Sequence, residues 1–71
     1  MAVEPLVRMA NQIAANVRHQ PEQQAVESVA THLRMFWAPS MRTELAEWLA
    51  TDGAGLDPLA AAAVRSLTAK T

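Results

Sequence analysis

Four prolines, Pro5, Pro21, Pro39 and Pro58, limit how this 71-residue chain can order itself. Proline has no N–H to donate, but its fixed φ suits the first turn of a helix. It also pushes the preceding residue out of the helical region. Each proline therefore reads as the opening of a helix and the close of whatever precedes it. No stretch alternates apolar and polar residues with period two, as a half-buried strand does. The expected fold is all-α: a small bundle of about four short helices with Pro- and Gly-punctuated connections, short enough to favour antiparallel neighbours.

The first pattern runs from about Glu4 to His19. Leu6, Met9, Ala10, Ile13, Ala14 and Val17 follow one helical face, while Asn11, Gln12, Asn16 and Arg18 fall largely elsewhere. His19 is placed to complement that helix's C-terminus. The second helix opens after Pro21, with Glu22 in its first turn and Ala25, Val26, Val29, Ala30, Leu33 and Phe36 or Trp37 as its stripe. Pro39 stops it. Ser40 is the expected N-cap of the third helix, with Met41, Leu45, Trp48 and Leu49 on its apolar face. Gly53 or Gly55 supplies a left-handed C-cap. Asp57-Pro58 reads as an N-cap followed by Pro at the first helical position. The fourth helix then carries Leu59, Ala63, Val64 and Leu67, and an alanine run from Ala60 to Ala63 that permits close backbone approach. The chain reads as one domain, residues 1–71, with 68–71 a frayed tail.

A domain this small buries only about 60% of the surface its unfolded chain exposes, so it needs a staple or a partner. Cysteine is absent, which excludes disulfides and iron–sulfur ligation. His19 and His32 have no Cys support, so no metal site is expected. A partner protein or self-association is left. The net charge of -1 lacks the basic excess of a nucleic-acid binder and gives no polybasic attraction to a membrane. Arg8, Asn11 and Gln12 interrupt any signal-peptide core, and Leu59 to Val64 is far short of a membrane span. A cytoplasmic chain, with no nucleic acid and no membrane as partner, is the expectation.

No catalytic residue is expected. Ser28, Ser40 and Ser66 lack a recognisable His–Asp partner spacing, and the acidic residues are scattered over helix faces and caps. Gly53-Ala54-Gly55 lacks a following Gly-Lys-Ser/Thr and reads as a turn. His32, beside Leu33, reads as a half-buried residue bonded to a neighbour.

The segment HLRMFWAPSMR, residues 32–42, is different in kind. Phe36 and Trp37 are adjacent and so point about 100° apart on a helix. One can enter the core while the other lies toward its edge. Two readings stay open: both pack under the Pro39 corner, or the corner is a partner-facing anchor. Trp, Met and Arg are enriched in interfaces, and Met9, Met35 and Met41 add adaptable apolar surface. The candidate interface residues are Arg34, Phe36, Trp37, Pro39, Met41 and Arg42.

MANQIA (9–14), a Pro-initiated helix, HLRMFWAPSMR and GAGLDPL (53–59) with its following alanines resemble, in that order, the delta subunit of NAD-dependent formate dehydrogenases. The resemblance covers about residues 6–67, with the FW-x-P-x-MR segment most distinctive. The chain departs from the family's pattern at Asn16 and Val17, where aromatics are common, and at Ala38, where a polar residue is. The resemblance implies a non-catalytic accessory subunit whose partner is the large catalytic subunit, stabilising it or assisting cofactor insertion. It implies a cytoplasmic complex with a molybdenum or tungsten pterin, iron–sulfur clusters, FMN and NAD, all in other subunits. The other reading is a free-standing helical module, homo-oligomeric through the Ala60–Ala63 face or weakly nucleic-acid binding. Against the latter, Glu44 and Glu47 on the helix after the corner would repel phosphates.

Overall fold

Proline and glycine place the ends of the helices. In a computed structural model, which describes residues 3–69, α1 spans Glu4–Asn16, α2 Glu22–Phe36, α3 Pro39–Thr51 and α4 Pro58–Ala69. The fold class is all-α, four helices as expected from the punctuation. The radius of gyration is 10.8 Å, close to the roughly 11 Å of a compact chain of this length.

Three boundaries differ from the sequence reading. Helix α1 stops at Asn16 rather than running to His19. The next residues close tighter turns, Val17 N–H to Ala14 O, Arg18 N–H to Ala15 O and Gln20 N–H to Val17 O, which deliver the chain to Pro21. His19 therefore lies outside the last turn of α1 and does not cap it. Helix α3 begins at Pro39, so Ala38 and not Ser40 is its N-cap, and no side chain caps it. Pro at the first helical position fixes this: Ala38 is held extended at ψ 149°, two residues before Ser40. Helix α4 continues through Thr68 and Ala69, so those two residues of the expected frayed tail are helical. Residues 70 and 71 lie outside the described residues.

The core is built from small residues. Ala10 and Ala14 of α1, Ala25, Val29 and Leu33 of α2, Leu45 of α3, and Ala60, Ala63 and Val64 of α4 are buried together. α2 packs most extensively on α4, where alanines let two backbones approach. The Ala60–Ala63 run lies largely inside this contact: Ala60, Ala61 and Ala63 are buried and Ala62 is intermediate. On α1 the buried stripe is Leu6, Val7, Ala10 and Ala14, and Met9 turns outward. α3 buries only Leu45, against four residues each for α1 and α2, so it is the helix the fold covers least.

Candidate interaction site at the helix corner

Between α2 and α3 the chain bends through two extended residues. Trp37 has φ -94° and ψ 143°, and Ala38 follows at φ -67° and ψ 149°. The Trp37 N–H still bonds Leu33 O at 3.0 Å, and Ala38 O accepts from Met41 N–H at 3.0 Å and Arg42 N–H at 3.2 Å. The bend separates the two aromatics. Trp37, 6% exposed, joins the core cluster with Leu33, Leu45 and Val64. Phe36 is 70% exposed and Met35 67%. Phe36 lies against the His32 ring, centroids 4.8 Å apart at 43°. His32 is thus an exposed partner of Phe36 rather than the half-buried residue its neighbours suggested.

The other corner residues divide similarly. Pro39 and Arg34 are exposed, Arg42 is intermediate, and Met41 is half-buried against the core. Arg42 folds back over the corner, its Nη1 donating to Arg34 O at 2.9 Å. This places a cation at the C-terminal end of α2, where the helix dipole favours it. Neither Arg34 nor Arg42 reaches a carboxylate among the described residues. Beside the corner, α2, α3 and α4 leave an open, mainly apolar cleft of ≈ 530 Å³. Leu33, Leu45 and Val64 contribute to its apolar lining, Ala46 and Ala50 line it along α3, and Arg34 and Arg42 stand at its corner end.

The sequence reading treated Asn11 as an off-face polar residue. The structure makes it a latch. Its Nδ2 donates to Gly55 O at 2.8 Å, and its Oδ1 accepts the Asp57 N–H at 2.8 Å. One side chain thus pins two points of the loop between α3 and α4, two residues apart and just ahead of α4. Gly53 and Gly55 take φ of 74° and 82° there, a left-handed region that only glycine enters cheaply. Asp57 caps α4 as expected, its Oδ1 accepting the Leu59 N–H at 2.8 Å, and its Oδ2 pairs with Arg18. Burial raises the Asp57 pKa, but the Leu59 N–H, the Arg18 hydrogen bond and the Arg18 charge together outweigh it. Its carboxyl is held below the usual carboxylate value. No sequence signal linked Asn11 to this loop, because its partners are 44 and 46 residues away. Yet MANQIA and GAGLDPL, two of the segments that carried the resemblance, meet at this latch.

Iron–sulfur clusters take thiolates, and the sequence has no cysteine. Among the described residues no three of His, Asp or Glu gather as metal ligands. No helix there is long and apolar enough to cross a membrane.

The family model described as the NADH-dependent formate dehydrogenase delta subunit, FdsD, matches residues 5–64. That span contains the corner, the Asn11 latch and the whole of α2 and α3. No curated protein and no solved structure gives a significant match.

Proposed function

The chain belongs to the delta-subunit family of NADH-dependent formate dehydrogenase, and from that membership we propose that it is a non-catalytic accessory subunit that docks on the large catalytic subunit and stabilises it. The family match is the observation that carries this reading. The corner supports it and gives it a location. An aromatic and a methionine together in the open, Phe36 and Met35, are the kind of anchor that interfaces bury. Arg34 and Arg42 beside them await carboxylates. In this reading Phe36, Arg34, Pro39 and Arg42 meet the partner, while Trp37 and Met41 brace the corner from inside. The molybdenum or tungsten pterin, the iron–sulfur clusters, FMN and NAD sit in other subunits, and the complex is cytoplasmic.

Family membership fits either stabilising the catalytic subunit or assisting insertion of its cofactor. The exposed apolar pair favours the first, since permanent interfaces are the more apolar ones and need lasting cover. The test is to isolate the complex from cells with and without this chain. Stabilisation predicts that the complex lacking it keeps its metal content per catalytic polypeptide but loses formate-dependent NAD+ reduction faster on warming, and that added chain restores the half-life. Reduced metal content that later addition cannot restore would instead establish a role in cofactor insertion. A chain that never co-isolates with the complex would end the subunit reading.

A further inference from the structure

The cleft beside the corner has a shape and a polarity that specify its occupant. It follows α3 from Arg42 to Ala50, a rise of about 12 Å, or two turns of helix. Ala46 and Ala50 stand one turn apart on this wall and are small enough to admit another backbone closely. Leu67 of α4, only partly buried, offers apolar contact on the opposite wall. Along this wall Ala46 is half-buried and Ala50 exposed.

Charge gives the cleft a direction. Two guanidinium groups without a carboxylate partner stand at its corner end, and Arg42 is already held by its bond to Arg34 O. A group fixed in advance loses less side-chain freedom on pairing. Glu47 lies five residues further along the same wall, where it disfavours a second acidic group. We propose that this cleft takes an amphipathic helix of the large catalytic subunit, laid along α3 with apolar side chains on Ala46, Ala50 and Leu67 and a carboxylate against Arg34 and Arg42. This is helix-in-groove recognition, with the charge pair setting the register. It rests on the subunit reading and adds to it which surface binds and what chemistry it binds.

A photo-crosslinking residue placed at Ala50, in the intact complex, tests the location, with the same residue at Gln12 on the exposed side of α1 as the control. Crosslinks from position 50 to one helical segment of the catalytic subunit bearing an Asp or Glu, with none from position 12, are expected. The chemistry is tested by Arg34→Glu together with Arg42→Glu, against Arg34→Lys together with Arg42→Lys. The charge reversal is expected to weaken association at least about tenfold at low salt, and the lysine pair to recover most of it, with helicity unchanged in both. A chain that co-purifies but crosslinks only from position 12, or a charge-reversed chain that binds within about twofold of wild type, overturns the proposal and leaves the subunit reading standing. Failure of the unmodified chain to co-purify at all overturns both.

Discussion

Replacing Trp37 by alanine should strongly destabilise the isolated chain, whereas replacing its neighbour Phe36 should not. Trp37 is 6% exposed and packs in the core cluster with Leu33, Leu45 and Val64. Truncating a buried Trp costs about 3–5 kcal/mol, from lost transfer energy and the cavity left behind. Stability of about 0.05–0.15 kcal/mol per residue gives a chain of this length some ~4–10 kcal/mol in all. Trp37→Ala therefore removes about half of that or more. Phe36, at 70% exposure, gives up little burial on truncation, so Phe36→Ala should stay within about 0.5 kcal/mol of wild type. Urea unfolding followed by far-UV circular dichroism reads both, with Trp48 fluorescence as a second probe. In a pull-down the order should reverse for the folded variant: Phe36→Ala keeps its helicity but captures less catalytic subunit. A Trp37→Ala chain that unfolds within about 1 kcal/mol of wild type would refute the placement of this ring in the core.

Asn11→Ala removes both bonds of the latch and should cost about 2 kcal/mol, lowering the thermal midpoint by about 10 °C in scanning calorimetry. Gly53→Ala should destabilise more than Gly55→Ala. Both sit at positive φ, but a Cβ on Gly53 also meets Leu49 Cδ1 at 3.2 Å, while one on Gly55 finds its nearest neighbour at 4.0 Å. Chemical denaturation of the two variants gives the ranking directly. The folded-state pKa of Asp57 is lowered, so its contribution is present above the unfolded carboxyl value of about 3.9 and disappears as pH falls through the folded value. Asp57→Asn should therefore be less stable than wild type at neutral pH, and the difference should close in acid-unfolding curves as pH falls through the lowered folded-state value.

The helices were legible because their boundaries depend on backbone chemistry within one or two residues. Proline at the first helical position and glycine at positive φ are local facts, and Asp57-Pro58 read correctly for that reason. The same rule, applied at Ala38-Pro39, would have displaced Ser40 as the cap of α3. The fate of Phe36 and Trp37 was not legible, because the 100° rule assumes both residues are helical. Trp37 is already extended, and that rotation sends the larger ring inward. Asn11 was hidden for another reason. A side chain whose partners are backbone groups in a distant loop has no periodicity to announce it. The cleft was equally hidden, being made by three helices and marked in the sequence only by Arg34 and Arg42.

The most direct test of the account is a pull-down with this chain, tagged, from its native cells, with formate-dependent NAD+ reduction assayed in the eluate. A large iron–sulfur protein co-eluting with that activity, and lost from the Arg34→Glu, Arg42→Glu variant, is the predicted result. Recovery of the folded chain alone, or with nucleic acid and no formate oxidation, would contradict it.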